Sequence, residues 1–527
     1  MLPMPKHSTR RQFAKSSAAA LLASSPALWG CRDNAAGPAG PAPLSRLAHA
    51  GHTLQGRERV FRPPTWEPAT RRRFDGKNVI VLMLDSFRWD HLGAFGNSKA
   101  PTPNLDEFAA QSTFFTHSYP EGLPTVPVRT SLLTGRFTYP FRRWQVLYPE
   151  DHPLLPEILW SEGFRTALIS DTYHLHKPSY GFSRGFDDVK WLRGQEQDPY
   201  VRDPAIIDSI DVSRRFKPRG ERPNEERETR TYLANRHDWK TDEDHFTPRI
   251  MRSAVEWLEK QPRKENLFLW IDNFCPHEPW DPPESYLKQV DPDFASWELR
   301  NICPVPGDSA GYLDAEELRQ VLALYAAVVR FVDAWVGYFL DEVKRMGMYD
   351  NTMIVVMTDH GEPFGDHGIV RKVRPWGYEE LARTFLMIRD PSGGGVERVD
   401  SYVQQTDATA TILDWLGIDR PAHMTSESLM PLIRGQQEKI RDESVCCHYN
   451  ESISIRHDEW SYHWFVENSR ARASDRSSIV KEAPELYNLR EDPSEQNNLA
   501  LQESERVADM DRRMRAFTQD LLDRERA

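Results

Sequence analysis

Three widely separated stretches carry side chains suited to a hard cation and an anionic ester. Asp85 closes the run Asn78-Val79-Ile80-Val81-Leu82-Met83-Leu84, and Asp359-His360 closes Thr352-Met353-Ile354-Val355-Val356-Met357-Thr358. Two carboxylates and an imidazole, joined by the hydroxyl of Thr125, suit one divalent cation with a position open for a substrate oxygen. Taken singly, an Asp at a strand end is as often a loop cap as a ligand. Thr125-Val126-Pro127-Val128-Arg129 is the sharpest local pattern. Pro127 suits the first turn of a helix running through Thr130-Ser131-Leu132-Leu133-Thr134-Gly135-Arg136, which puts Thr125 just before a helix N-terminus. Unpaired N–H groups and the helix dipole there favour an alkoxide or a tetrahedral anion. Arg129, one turn on, projects from the same side and can hold that hydroxyl and an anion oxygen. Spacing alone is better explained by Thr125 as an N-cap and Arg129 as a surface arginine.

The elements that must position these groups are legible from periodicity. The two runs above and Leu267-Phe268-Leu269-Trp270-Ile271 are apolar on both faces, as strands of a sheet covered by helices are. Groups at their carboxyl ends lie where open α/β sheets place their sites. Asp314 to Met346 has helical spacing, with Asp314 and Glu317 forming a capping box and Gly347 following the last turn. That helix leads into the strand at Thr352, the α/β order. Residues 190–245 are polar and irregular and read as a surface insertion near the mouth of the site. Past residue 425 short segments around His448-Tyr449 and Trp460-Ser461-Tyr462-His463-Trp464-Phe465 predict a small antiparallel sheet, followed by a helix from about Glu503. The expected fold is α/β: a large, mixed but mostly parallel sheet sandwiched by helices over residues 74–425. A smaller C-terminal α+β subdomain follows over 426–527. No internal repeat is present.

Composition bounds the function. A chain of 527 residues with 39% hydrophobic and 28% charged residues reads as globular, and a net charge of -12 without a basic block argues against nucleic acid as a partner. No continuous run approaches the roughly eighteen apolar residues of a membrane span. Residues 1–31 read as an export address. Thr9-Arg10-Arg11-Gln12-Phe13-Ala14-Lys15 is a twin-arginine pattern, followed by a short apolar stretch from Ala18 to Trp29. The expected partner is thus the twin-arginine export machinery, and the expected location periplasmic. Leu28-Trp29-Gly30-Cys31 is also a candidate lipoprotein cleavage site, with Cys31 as a lipid anchor, although Trp29 is bulky for it and ordinary cleavage nearby competes. Residues 32–73, rich in Ala, Pro, Gly and Arg, read as a linker. The five cysteines have no C-x-x-C spacing, and a disulfide through Cys275 or Cys303 stays open.

Several motifs in order resemble the sulfatase family of the alkaline phosphatase superfamily. They are Asp85, Thr102-Pro103-Asn104-Leu105-Asp106, Thr-x-Pro-x-Arg from Thr125 to Arg129 running on to Leu-Leu-Thr-Gly-Arg, and Asp350-Asn351-Thr352. Thr358-Asp359-His360-Gly361-Glu362, Gly365-Asp366-His367-Gly368, Lys372 and the segment from Glu485 to Pro493 complete the series. The resemblance runs from about Asn78 to about Ala500. It implies that Asp85 and Asp359 are metal ligands and that Arg129 steadies the nucleophile. His360 stands where many members have Asn, as in relatives acting on phosphonate monoesters and phosphodiesters. Lys372 and His277, in Pro276-His277-Glu278-Pro279, match residues that contact substrate or leaving group. His174 lies in a segment resembling Lys-Trp-His-Leu-Gly, with Thr172 at the lysine. Ser86 replaces the second Asp of an Asp-Asp pair. His91, His117 and His367 read as structural, while His174 and His277 are candidate proton carriers.

In the family a Cys or Ser at the position of Thr125 is oxidised to formylglycine, whose hydrate attacks sulfur and then collapses to the aldehyde. Thr125 has one hydroxyl, so no formylglycine is expected and a covalent intermediate must be opened by water. Phosphoryl groups accept that in-line attack. The leading expectation is a phosphate or phosphonate ester hydrolase with Thr125 as nucleophile and one divalent metal ion, Mn²⁺, Zn²⁺, Mg²⁺ or Ca²⁺, with His360 tilting toward Mn²⁺ or Zn²⁺ over Ca²⁺. An ordinary sulfatase working without formylglycine is the alternative, and a binding protein with a decayed site is the third reading. The substrate is expected to be a small-molecule, glycan or lipid ester.

Overall fold

In the computed structural model the described residues are 74, 76–97, 101–148, 151–220, 223–373, 377–465 and 483–526. The expectations for residues 1–31 and 32–73, including Cys31, lie outside them. The strands are β1 (Asn78–Leu84), β2 (Thr113–Tyr119), β3 (Gly122–Leu123), β4 (Arg165–Ser170), β5 (Asp188–Trp191) and β6 (Leu267–Asn273). They continue with β7 (Gly307–Asp308), β8 (Thr352–Thr358), β9 (Ile369–Val370), β10 (Thr384–Arg389), β11 (Arg398–Val399) and β12 (Val403–Gln404). The last four are β13 (Glu443–His448), β14 (Ser452–His457), β15 (Trp460–Phe465) and β16 (Glu485–Asn488). Helices named below are α1 (Thr125–Thr134), α2 (Pro223–Asn235), α3 (Phe246–Lys260), α4 (Ala315–Arg345) and α5 (Ser504–Arg526).

The large sheet runs β11-β2-β10-β8-β1-β6-β4-β5, with β12 beside β2. Its centre, β8-β1-β6-β4-β5, is parallel throughout, and β10 runs antiparallel to β8 and β2. Side chains alternate across it. Ile80, Leu82 and Leu84 pack with Ile250, Met251 and Val328 of α3 and α4 on one face. Val79, Val81 and Met83 pack with Leu132 and Leu133 of α1 on the other. Covering both faces removes water from every position, which is why the run carries no polar alternation.

Helix α4 is capped as its sequence requires: Glu317 N–H donates to Asp314 Oδ1 at 2.8 Å, and Asp314 N–H to Glu317 Oε2 at 2.9 Å. Gly347 follows in the left-handed region at φ 68°. By length and mean hydropathy α4 could cross a membrane, yet 72% of its most apolar window is buried inside the protein, so it reads as a core helix.

The smaller sheet is β16-β15-β14-β13-β3, covered by Met510, Met514 and Leu521 of α5. The antiparallel sheet and terminal helix are as expected, but β3 is an addition. It comes from the segment just upstream of Thr125 and pairs in parallel with Cys447 and His448. Residues 190–245 depart from expectation as well: Pro204–Ser209 and α2 are helical, because both start on a proline suited to a first turn. Cys275, Cys303, Cys446 and Cys447 are all free thiols.

Candidate active site

Four neighbouring strands of the parallel centre, β8, β1, β6 and β4, carry an aspartate at or just past their carboxyl ends. Leu84 lies opposite Asn273 on one side and Thr358 on the other, so Asp85, Asp272 and Asp359 fall along one carboxyl edge. Asp171, after β4, extends the row. All four are fully buried. Like charges this close and this dry need compensation.

Arg129 supplies part of it. Its Nε and Nη2 donate to Asp272 at 3.1 and 2.9 Å, Nη2 lies 2.9 Å from Asp85 Oδ2, and Nη1 contacts Asp359 Oδ2 closely. Its contact with Thr125 is to the backbone carbonyl at 3.5 Å. The expectation that Arg129 holds the Thr125 hydroxyl is corrected accordingly. It is no surface residue either: the guanidinium is completely buried, and its polar contacts are to Asp85, Asp272, Asp359 and the Thr125 carbonyl. Burial pushes the Asp359 carboxyl up, but Arg129 and then His360 outweigh it and hold the group below the usual range. Asp85 is pushed up by burial and by the neighbouring Asp359, against the opposing pull of Arg129.

Thr125 begins α1 rather than preceding it, so Pro127 is the third helical residue. Its Oγ1 lies 3.4 Å from His360 Nε2. His360 Nδ1 lies 2.7 Å from the Gly361 carbonyl, an acceptor only, so Nδ1 carries the proton and Nε2 presents a lone pair. Burial lowers the His360 pKa to about 4, in keeping with a neutral ring.

One ligand atom each from Asp85, Asp359 and His360 lies within 4.8 Å of the others, the one such trio among the described residues. Asp85 Oδ2 is buried without an aligned hydrogen bond, despite the 2.9 Å approach of Arg129. Two carboxylate oxygens and an imidazole nitrogen with an orphaned lone pair fit a divalent cation. Ser86, outside that trio, braces it: Oγ donates to Asp85 Oδ1 at 2.8 Å and N–H to Asp359 Oδ1 at 2.9 Å. The brace requires Ser86 at φ 59°, a conformation uncommon for a side-chain-bearing residue.

Thr125 opens into a cavity of about 930 Å³ that also takes in His174, His277 and Lys372. Lys372 Nζ contacts Glu362 and lies 3.3 Å from Glu278 Oε2 and from Ser86 Oγ. Burial lowers its pKa but Glu278 and Glu362 outweigh it, keeping the ammonium charged. His277 Nδ1 donates to the Glu278 carbonyl at 2.8 Å, leaving Nε2 as an acceptor, and burial lowers its pKa to about 3. His174 Nδ1 accepts from Lys177 at 3.1 Å, so its Nε2 carries the proton, 3.2 Å from Glu196. The structure therefore gathers every expected residue at one end of the sheet.

Over residues 77–418 the chain matches the family model described as Sulfatase. The chain belongs to the sulfatase family. Residues 365–521 match a second model, N-sulphoglucosamine sulphohydrolase, C-terminal. Among curated relatives, an arylsulfatase of Clostridium perfringens is 24% identical over 471 residues, 79% of this chain and 91% of that protein. The multifunctional alkaline phosphatase superfamily protein PehA of Trinickia caryophylli is 25% identical over 499 residues, 80% of this chain and 91% of PehA. A solved phosphonate monoester hydrolase of Agrobacterium radiobacter superposes with TM-score 0.63 at 19% identity, covering 84% of this chain and 96% of that one. The protein is thus a sulfatase-family ester hydrolase with the family's α/β fold.

Within this sulfatase-family site some residues escaped the sequence reading. Asp272 closes a run already recognised as a strand, so the strand-end rule that found Asp85 also points to it. Glu278 and Arg371 adjoin His277 and Lys372 in sequence, but their mutual ion pair spans 93 residues and has no local signature. The position of Thr172, where a lysine was expected, sends its hydroxyl to Asp272 at 2.6 Å, while Lys177 brings an ammonium into the cavity from one turn away.

Proposed function

We propose that this hydrolase cleaves phosphate or phosphonate esters with Thr125 as nucleophile and with Asp85, Asp359 and His360 holding one divalent cation. The observation that carries the reading is the Thr125 hydroxyl standing 3.4 Å from His360 Nε2, beside the buried carboxylates. When bound, such a cation polarises a substrate oxygen and lowers the pKa of a nearby hydroxyl. Thr125 Oγ1 bonds to phosphorus as the alcohol departs, and water then displaces the threonine. A single hydroxyl cannot collapse to an aldehyde, so this second displacement is obligatory, and phosphorus tolerates it. Lys372, kept charged by Glu278 and Glu362, holds the non-bridging oxygens. Arg129 acts indirectly, fixing the ligand carboxylates and the first turn that carries Thr125. The relatives named for phosphorus esters support this reading.

The test is purified protein with Mn²⁺, Zn²⁺, Mg²⁺ or Ca²⁺ against 4-nitrophenyl phosphate, phosphodiester, phosphonate and sulfate. Thr125→Ala is expected to lose on the order of 10³-fold or more in kcat while still taking up the cation. Sulfate turnover exceeding that of every phosphorus ester would reject the substrate class. Full activity in Thr125→Ala would remove the nucleophile. Sulfate esters are the second reading, favoured by the N-sulphoglucosamine sulphohydrolase match and by the arylsulfatase relative. Thr9 to Lys15 further support export by the twin-arginine route to the periplasm, with Cys31 a candidate lipid anchor. Retention of an Arg10→Lys, Arg11→Lys chain in the cytoplasm is the expected outcome.

A further inference from the structure

Departure of an alcohol from phosphorus is slow unless its oxygen gains a proton, and several candidate donors at the site are already engaged. His277 Nδ1–H is spent on the Glu278 carbonyl and Nε2 is a lone pair. His360 is arranged the same way through Gly361. Lys372 is held charged between two carboxylates, and His174 Nε2–H faces Glu196. Helix α2 contributes Asn224, Glu228 and Thr231, which recur at helical spacing and line the same cavity. Glu278 is paired with Arg371 and Lys372, and Glu196 with His174. Glu228 differs: its Oε1 is shielded from solvent and has no hydrogen-bond partner among the described residues. Burial pushes its pKa up to about 8, with Arg371 opposing and Glu196, Glu278 and Glu225 adding to the rise.

Resting on the function proposed above, we propose that Glu228 is the general acid for the departing alcohol, and that the site is built for esters of aliphatic rather than aryl alcohols. Thr125 releases its hydroxyl proton to solvent as the Oγ1–P bond forms, the P–O bond to the alcohol breaks, and its electron pair stays on the leaving oxygen. The Glu228 O–H proton moves to that oxygen, releasing neutral alcohol. The carboxylate left behind takes a proton from the water that then attacks phosphorus, which restores Glu228, and as the P–Oγ1 bond breaks Thr125 regains its proton from solvent. Acid and base duties fall on one group because water enters from the side the alcohol vacated.

The test compares ethyl and 4-nitrophenyl esters of one phosphorus acid in the full-length, cation-loaded protein. For Glu228→Gln, kcat/KM on the ethyl ester is expected to fall about 100-fold, the scale of general acid catalysis, with less than about a threefold change on the 4-nitrophenyl ester. The alkaline limb of the ethyl-ester pH profile should vanish with it. Equal losses on both esters, or none on the ethyl ester, overturn the assignment while leaving Thr125 untouched. Should the variant fail to fold, wild-type protein decides the matter with a series of substituted phenyl esters. A shallow dependence of kcat/KM on leaving-group pKa is expected, and a steep one overturns the proposal. Wild-type protein that hydrolyses no phosphorus ester at all sinks the proposed function and this inference together.

Discussion

A buried carboxylate ligand is only as good as the group that aims it, and here Ser86 aims two. Its hydroxyl fixes Asp85 and its amide fixes Asp359, so one residue sets the separation between two candidate ligands. Ser86→Ala is expected to weaken cation binding by about 10- to 100-fold, as loss of such a supporting hydrogen bond commonly does. Isothermal titration with Mn²⁺ checks this, and unchanged affinity would mean the backbone alone holds Asp85. At this scale the sequence was readable where chemistry follows an apolar run, as with Asp85 and Asp359, and the same rule extends to Asp272, which was passed over. It marked Ser86 only as the replacement of an aspartate and missed its bracing role, which depends on a left-handed turn, and it was silent on pairs such as Glu278 with Arg371 that exist only once distant segments meet.

Among the elements, β3 has an influence beyond its two residues. It joins the segment before Thr125 to β13, so the second sheet helps fix where Thr125 stands. A methyl at Gly122 would fall on Thr138 Oγ1, which is already engaged with Glu121. Gly122→Ala should therefore displace the start of α1. A shift near 1 Å is enough to cost on the order of 100-fold in kcat, with a smaller change in melting temperature. Activity and melting measured on the same preparation separate the two. The turn at Gly365–Gly368 holds a titratable pair. His367 lies 2.9 Å from Glu380 and stacks on Tyr378, and although burial lowers its pKa, Glu380 outweighs this and raises it to about 9. A raised imidazole stabilises the fold fully below its unfolded value near 6.5 and loses that effect as pH rises through 9. His367→Gln should be less stable than wild type at pH 6, and the gap should close by about pH 9.5, read from denaturation midpoints. Glu380 is itself pushed up by burial, against the opposing pull of His367. The strands and α4 were legible because a buried sheet and a capped helix impose strong periodicities. The helices of residues 190–245 were not, since α2 is mostly polar and takes its place from the cavity it walls.

At the scale of the molecule, a chain with net charge -12 concentrates several of its acids at one dry edge and offsets them there with Arg129 and Lys372. Cation binding to the folded form alone should stabilise it by about 2.7 kcal/mol at roughly 100 times Kd. Melting should move upward with added Mn²⁺ and return on chelation, whereas Thr125→Ala should show the same rise. A row of aspartates ending neighbouring strands has a further consequence. Strands lie about 4.8 Å apart, so without an ion the carboxyl edge is pushed open by its own charge while the apolar interior of the sheet is not. Chelation should therefore quicken amide hydrogen exchange at residues 84–87 and 358–361 and leave 79–82 and 353–356 protected. The molecule would loosen locally at its reactive rim, long before it unfolds.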